Sequence, residues 1–229
     1  MSTRKNTILT SIVEEFVATS DPVGSKVMAE FLGFSPATIR GEMARLEKEG
    51  LICQPHTSAG RIPTEKGYRA YIDNLTSSKE FPEATDLKEF AEKRGLDKIL
   101  KLVSSASGNN TAFCVTPTIL RAYGLAETLN KKEFAEQEKM VRFARLMDNL
   151  PDFVQSLEFD GLGIAKVYIG QENPYQGAAD FSTIAVCFLF GSQPCVLGVV
   201  GPTRMPYQVV IPYLEKLGEI LQRKRLLEN

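Results

Sequence analysis

The chain has 229 residues, a mass of 25.4 kDa and a formal net charge of −1, from 27 Lys and Arg against 28 Asp and Glu. This length suits one large domain or two small ones, and a content of 43% hydrophobic and 24% charged residues is typical of a globular protein, which excludes a disordered or collagen-like chain. The near-zero charge excludes a protein coated in positive charge, so any nucleic-acid footprint must be local.

The apolar runs and the cysteines exclude further classes. The longest apolar run, residues 184–190, is far shorter than the roughly 20 residues of a membrane-spanning helix, and no signal-peptide core follows the polar start. We therefore expect a cytoplasmic protein with no membrane contact. The four cysteines form no C-x-x-C pair and His56 is the single histidine, so we expect no zinc site, no disulfide framework and no cofactor.

The first 33 residues predict two helices. Apolar residues recur every four positions from Ile8 to Val17, which indicates a first helix that ends at Ser20-Asp21-Pro22. A short second helix is expected between Ser25, which can cap it, and Gly33, where a left-handed residue suits a helix end. The expected buried side of this second helix comprises Val27, Met28, Phe31 and Leu32.

A third helix follows after a very short turn. Ser35 is the predicted N-cap, and Pro36 fits the first helical position because its missing N–H costs nothing there. The core stripe of this helix, up to Gly50, is Ile39, Met43 and Leu46. A tight turn between two short helices is typical of a helix-turn-helix.

A hairpin and a closing helix are predicted next. Residues 51–54 and 61–63 are expected to be strands joined by a turn-rich loop, and Thr64 is expected to cap another helix. The apolar positions of that helix are Tyr68, Tyr71, Ile72 and Leu75. The pattern predicts a winged helix-turn-helix over residues 1–75, followed by a polar linker over residues 76–85.

The remainder, residues 86–229, mixes helices and strands. Apolar periodicity predicts helices around Leu96–Val103 and around Met140–Met147, the second ending before Pro151. Strands are predicted over residues 111–116, 165–169, 183–190 and 196–200. A last helix carries Val210 to Leu221, and Pro212 implies that it starts near Ile211 or is kinked. We expect an α+β domain with an antiparallel sheet and helices on one face.

The third helix presents a polar face of the kind that reads DNA. Opposite its core stripe lie Ala37, Thr38, Gly41, Arg45 and Lys48, with Arg40 on the flank. Small residues let a helix approach base edges, and Arg45 and Lys48 can reach guanine or phosphate. Ser25, Lys26 and the N–H groups of residues 35–38 are candidates to hold phosphate oxygens. A merely solvated helix face is the alternative, and the adjacent turn and wing favour the DNA reading.

The predicted wing carries the donor types that contact a phosphate backbone or minor groove. The loop Pro55-His56-Thr57-Ser58-Ala59-Gly60-Arg61 combines hydroxyls, a histidine, an arginine and the conformational freedom of glycine. His56 and Ser58 do not predict catalysis, because no carboxylate stands nearby in sequence and no nucleophile elbow surrounds the serine. Residues 34–70 hold six cations and four anions, a modest excess that suits a dimer reading two half-sites.

Two motifs in the second half are weaker. Gly161-x-Gly163 lacks the third glycine of a dinucleotide fingerprint and leads into a strand, so we do not expect a nucleotide there. Gly201-Pro202-Thr203-Arg204 is expected to be a turn, with Arg204 as a less favoured anion ligand. No carboxylate pair stands out, and we expect no enzyme.

Two groups of motifs resemble the HrcA family of heat-inducible transcription repressors of bacteria. The first group is Pro22-Val23-Gly24-Ser25, Ser35-Pro36-Ala37-Thr38-Ile39-Arg40, Pro55-His56-Thr57-Ser58-Ala59-Gly60-Arg61, Pro63-Thr64 and Gly67-Tyr68-Arg69. The second group is Ile169-Gly170-Gln171-Glu172-Asn173 and Gly201-Pro202-Thr203-Arg204-Met205 with Tyr207. The first is similar to the family's DNA-binding domain and the second to its GAF-like domain.

This resemblance implies a homodimeric repressor that binds an inverted-repeat operator in double-stranded DNA upstream of chaperone genes, with the GroEL chaperonin assisting its active form. Two departures qualify the resemblance. Gly41 stands where family members usually carry a polar side chain, often asparagine, so the operator can differ. The middle of the chain is too short for the inserted dimerisation segment of the family, so the dimer would use another surface, such as the final helix or a sheet edge.

Two other functions remain open from the sequence. A small-molecule-responsive regulator would bind a metabolite in its C-terminal domain, and that metabolite would raise its melting temperature. An enzyme would need an acid, a base and a nucleophile together, and it would lose activity on mutation of His56 without losing DNA affinity.

Overall fold

The computed structural model describes residues 3–57, 59–75, 95–190 and 192–224. The chain divides into two compact units, Met1–Thr76 and Ser77–Asn229. The predicted linker over residues 76–85 lies outside the described residues. No helix within the described ranges has the length and apolar character that crossing a membrane requires.

The first unit contains four described helices and one small antiparallel hairpin. The helices are α1 (Thr3–Thr19), α2 (Ser25–Leu32), α3 (Pro36–Lys48) and α4 (Glu65–Ile72). The strands are β1 (Ile52–Cys53) and β2 (Ile62–Pro63), with Ile52 opposite Pro63. This is the predicted order of elements, and apolar residues of α1, α3 and α4 form the core beneath the hairpin.

Most predicted helix ends are confirmed. Gly33 adopts a left-handed conformation with φ of 70° and its N–H bonds the Ala29 carbonyl. Ser35 caps α3 through a bond of 3.1 Å from the Thr38 N–H to its Oγ, and Pro36 is the first helical residue. Thr64 caps α4 by accepting the Gly67 N–H at 3.0 Å.

The prediction for α2 is wrong in two respects. Gly24 is its N-cap, in extended conformation and without a side-chain bond, so Ser25 already belongs to the helix and does not cap it. Val27 and Phe31 are exposed, Phe31 by 73%. An eight-residue helix has only two turns, and this one is oriented so that its buried side is built on Met28 and Ala29.

The second unit is built on a five-stranded antiparallel sheet. The strands are β3 (Thr111–Val115), β4 (Leu120–Tyr123), β5 (Ala165–Ile169), β6 (Ser182–Phe190) and β7 (Gln193–Gly201). Their order across the sheet is β4-β3-β7-β6-β5, which leaves β4 and β5 at the two edges. The α+β class and the antiparallel sheet are confirmed. The sequence pattern missed β4. Strand β7 begins three residues earlier than predicted, because its pairing with β6 continues to the pair Phe190–Gln193 next to the hairpin turn.

Helices cover both faces of this sheet. They are α5 (Gly95–Ala106), α6 (Leu125–Leu129), α7 (Gln137–Asp148), α8 (Leu150–Ser156) and α9 (Tyr207–Lys224). Phe113 on one face belongs to a buried aromatic cluster with residues of α7 and α8, its ring 6.1 Å from that of Phe153. On the other face, α9 packs on β6 and α5 on β3. The expectation of helices on one face is therefore wrong, because Phe113 and Ala185 give the second face an apolar surface that must also be buried.

The start of the last helix is also corrected. It begins at Tyr207, four residues before the predicted start, and Pro212 lies inside it. The Val210 N–H bonds the Pro206 carbonyl at 3.1 Å, so the first turn forms before Pro212 is reached. Pro212 lies past this first turn, where it cannot donate the helical bond to the carbonyl of residue 208. The helix predicted to end before Pro151 does so, at Asp148, and Pro151 is the second residue of the short α8.

Candidate nucleic-acid interface

The outward face of α3 holds the predicted DNA-reading residues. Ala37, Arg40, Gly41, Arg45 and Lys48 are exposed and Thr38 is half-buried. The core stripe of Ile39, Met43 and Leu46 is buried as predicted. The helix therefore separates a small and cationic face from an apolar one.

Fewer backbone N–H groups are free at the N-terminus of α3 than the sequence suggested. The Ser35 hydroxyl accepts the Thr38 N–H and also lies 2.8 Å from the Thr38 hydroxyl. Pro36 has no N–H and the Thr38 N–H is bonded, so the N–H groups of Ser35 and Ala37 are the donors left for an anion among residues 35–38. A cation lies nearby, because the Arg4 guanidinium stacks 5.4 Å from the ring centre of Phe34 in the preceding turn.

The cations of α3 divide into paired and unpaired side chains. Arg45 donates to the Glu42 carboxylate at 3.0 Å, although its own side chain is 71% exposed. The sequence pattern missed that Glu42 is buried on the core side of the helix. Among the residues that the structure describes, neither Arg40 nor Lys48 takes part in an ion pair. Their two charges therefore remain available on this face.

The loop of the wing is held in one shape by Gln54. Its side-chain amide donates to the carbonyls of Thr57 and Ala59, each at 2.9 Å. The Ala59 N–H closes the turn on the His56 carbonyl at 2.9 Å. His56 and Thr57 are exposed at the tip, and Ser58 lies outside the described residues. A short polar tip with bonded backbone groups is suited to phosphate contact at small entropic cost.

Arg61 and Gly60 have packing roles beside any role in binding. The backbone of Arg61 forms two bonds of 2.9 Å with Val23, so the wing is tied to the segment after α1. The Arg61 guanidinium lies 3.1 Å from the Glu47 carboxylate of α3. Gly60 does not have a positive φ, and its requirement is space, because an added Cβ would lie 2.5 Å from the Val23 carbonyl. The expectation of glycine freedom here is corrected to one of close approach.

The three carboxylates in and directly after α3 are each paired with a basic side chain. Besides the Glu42 and Glu47 pairs, Lys5 of α1 donates to Glu49 at 2.6 Å. The hydrogen bond from Lys5 lowers the pKa of Glu49 and keeps it ionised. Paired carboxylates repel phosphate less, so they oppose an anion at Arg40 and Lys48 less strongly.

In the second unit, Arg204 is committed to a protein partner. Its Nε lies 2.5 Å from the Glu133 carboxylate. Lys131 bonds the Asn110 side chain nearby, and burial together with the charge of Arg204 lowers the pKa of Lys131 to about 8. The Gly201–Arg204 segment is thus the structural turn that was favoured. Within the described residues, no cluster of His, Cys, Asp or Glu is suited to a metal.

Several of these residues have no signal in the sequence. The pairs Arg61–Glu47 and Lys5–Glu49 join residues far apart in the chain, and Gln54 acts through carbonyls that any residue provides. Helical periodicity did predict which side of α3 faces outward.

Comparison with known proteins identifies a family. The family model described as the HrcA protein C terminal domain matches residues 66–211. The heat-inducible transcription repressor HrcA of Nocardioides sp. is 54% identical over 99 residues, which cover 42% of this chain and 27% of that protein. The repressor of the same name from Desulfitobacterium hafniense is 47% identical over 104 residues, covering 44% of this chain and 30% of that protein. The matched stretch thus spans less than a third of these relatives.

A solved structure shares the fold. The crystal structure of a hypothetical protein has a TM-score of 0.76 and is 21% identical, and the match covers 97% of this chain and 99% of that chain. At this identity the match supports the fold alone.

Proposed function

The chain belongs to the HrcA family, since the family model matches more than half of it, and from this premise we propose that it is a transcriptional repressor of heat-shock genes. The matched repressors carry that function in their names. The observation that carries the proposal for this chain is the exposed α3 face, which keeps Arg40 and Lys48 unpaired among the described residues.

The first unit, residues 1–75, is proposed to be a winged helix-turn-helix that places α3 in the major groove. Thr38, Arg40 and Arg45 would read or approach base edges, while Lys48 and the wing contact phosphates. The full proposed contact set is Ser25, Lys26, Ser35, Pro36, Ala37, Thr38, Arg40, Gly41, Arg45, Lys48, His56, Thr57, Ser58, Gly60 and Arg61. The Arg45 guanidinium has five donors, so its bond to Glu42 leaves enough for a guanine edge.

The second unit is proposed to be a GAF-like domain over residues 86–229 that regulates the repressor and dimerises it, joined through a linker over residues 76–85. A symmetric dimer presents two copies of α3 and therefore matches an inverted-repeat operator. The GroEL chaperonin is proposed to assist the active form. That role is supported if purified GroEL with ATP raises the DNA-binding fraction of heat-treated repressor, and it is refuted if the fraction is unchanged.

The direct test is selection of bound sequences from random duplex DNA by the purified chain. The proposal expects an enriched inverted repeat, because two identical units would read two half-sites. Recovery of random sequences alone, at a salt concentration that permits binding, would refute sequence-specific recognition.

Three matched variants then locate the interface. Arg45→Ala should weaken operator binding and relax the sequence preference, because its guanidinium is exposed on the reading face. Arg61→Ala should weaken binding to all sequences and lower the salt slope by about one unit. Arg69→Ala removes the same charge from α4, where Arg69 pairs with Asp73, and should alter specificity little. If all three variants behave alike, the docking of α3 is wrong.

A further inference from the structure

The two edges of the five-stranded sheet differ in how they are protected. At the β5 edge, the Ala165 N–H donates to Glu215 and the Ile169 N–H donates to Glu172, both at 3.0 Å. These carboxylates occupy donors that another strand would need. At the β4 edge, all four strand residues are exposed.

The β4 edge is also apolar. Its strand and flanks expose Ile119 (41%), Leu120 (45%), Tyr123 (37%) and Leu125 (38%). Proteins usually blunt a sheet edge with charge, a bulge or a covering element, and an exposed apolar edge is a template for another strand. The one charged residue, Arg121, donates from its side chain to the Leu120 carbonyl at 3.1 Å.

The backbone groups that point out of the sheet at this edge follow from the register. The Thr116 N–H bonds the Ile119 carbonyl at 2.8 Å, so Thr116 and Ile119 form a hydrogen-bonded pair with each other across the β3–β4 turn. In antiparallel strands such pairs alternate, so Arg121 and Tyr123 bond β3 while Leu120 and Ala122 direct their N–H and C=O outward. The bond from Arg121 to the Leu120 carbonyl agrees with this assignment.

We propose that the β4 edge pairs with the β4 edge of a second copy of this chain, antiparallel about a twofold axis at Ala122. This inference rests on the proposed function, because an inverted-repeat operator requires two copies. Pairing would join the two sheets into one of ten strands through the outward N–H and C=O of Ala122. The Leu120 carbonyl, which accepts from the Arg121 side chain in the single chain, would exchange that bond for one from the second copy.

Side-chain complementarity selects both the partner and the register. Centred on Ala122, the pairing places Arg121 opposite Tyr123 of the second copy, on both sides of the axis, which brings each cation to an aromatic ring. The same register brings Ile119 towards Leu125 of the second copy. Centred on Arg121 instead, the two guanidinium groups would face each other, and like charges directly opposite are destabilising.

Substitutions at Ala122 test the pairing in the full chain without DNA. Ala122→Pro removes the N–H that points out of the sheet and leaves the bonds between β4 and β3. The dissociation constant of the dimer, measured by analytical sedimentation, should therefore rise at least tenfold. Ala126→Pro changes another exposed alanine, in the first turn of α6 where the N–H has no helical partner, and should leave dimerisation unchanged. Equal dimerisation of both variants and the wild type would overturn the proposal.

A crosslink gives an independent readout. Residues that face each other in a hydrogen-bonded antiparallel pair have Cα atoms about 5.5 Å apart, within the reach of a disulfide. On oxidation by oxidised glutathione, each pair of Ala122→Cys thiols would lose two protons and two electrons and form an intersubunit disulfide. This variant should run as a covalent dimer in a non-reducing gel, whereas Ala126→Cys and the wild type should remain monomers. Absence of the covalent dimer would refute the twofold axis at Ala122.

Three further outcomes distinguish a different dimer interface, the absence of a dimer and a dimer that does not bind DNA. If Val209→Lys on α9 dissociates the dimer while Ala122→Pro does not, the final helix is the interface and the proposal is overturned. A wild type that is monomeric with and without DNA overturns it as well. A dimer sensitive to Ala122→Pro that binds no DNA supports the pairing and refutes only the proposed function.

Discussion

Gly60→Ala probes the contact on which the position of the wing depends. The added Cβ would lie 2.5 Å from the Val23 carbonyl carbon and oxygen and 2.6 Å from the Pro22 oxygen, all of them backbone atoms. The ordinary separation is 3.4–4 Å, so the wing must move away from this segment. That movement breaks the two bonds of 2.9 Å between Val23 and Arg61.

The expected loss follows from these two contributions. Two backbone hydrogen bonds contribute about 1 kcal/mol each, and overpacking strain adds about 1–3 kcal/mol, so the free energy of unfolding of the first unit should fall by about 3–5 kcal/mol. Native-state amide hydrogen exchange measures this loss at the Ile39 N–H, which bonds the Ser35 carbonyl inside the unit.

Gly41→Ala is the matched control. This glycine lies in the exposed face of α3 with nothing within 4 Å of an added Cβ. Alanine should therefore stabilise the helix by about 1 kcal/mol, through its higher helix propensity. The reasoning is refuted if Gly60→Ala leaves amide protection within about 0.5 kcal/mol of the wild type, the range usual for a neutral surface substitution.

Three other predictions concern the cap, the reading face and a buried lysine. Ser35→Ala should destabilise α3 by about 1 kcal/mol, measured by amide exchange, and Ser35→Asp should restore the cap. Gly41→Asn should change the preferred base at one position of each half-site in DNA selection, because it adds an amide to an open face; an unchanged site would place Gly41 away from the bases. Lys131 has a pKa lowered from 10.5 to about 8 by burial, so between these pH values the unfolded chain holds the extra proton. Stability relative to Lys131→Met should therefore rise with pH in that window, and a flat difference in denaturation midpoints would contradict the burial of a charged amine.

Ion pairing within the first unit determines which of its charges are left unpaired. Glu47 and Glu49 are each held by a basic residue from another element, and Glu42 by Arg45. The charges that a ligand can still bind are those that the folded unit has not already paired. A count of charges along the sequence does not distinguish paired from unpaired cations on α3.

Local sequence determined much of this protein. Ser35 and Pro36 fix the start of α3, Gly33 and Thr64 fix neighbouring helix ends, and the apolar spacing of Ile39 fixes which face of α3 is turned outward. These features depend on residues within one or two turns of each other, where dihedral preferences and capping bonds act. The α+β class followed in the same way from periodicity.

Only the tertiary structure decided the rest. The orientation of the helices decides that Phe31 is exposed, that Glu42 is buried and that Arg61 bonds Glu47. The neighbouring residues in the sequence do not encode this orientation. The second helix layer of the sheet and the open β4 edge likewise arise from the order in which strands pair. Burial and long-range pairing are properties of the assembled core, because the free energy of a side chain depends on what packs against it.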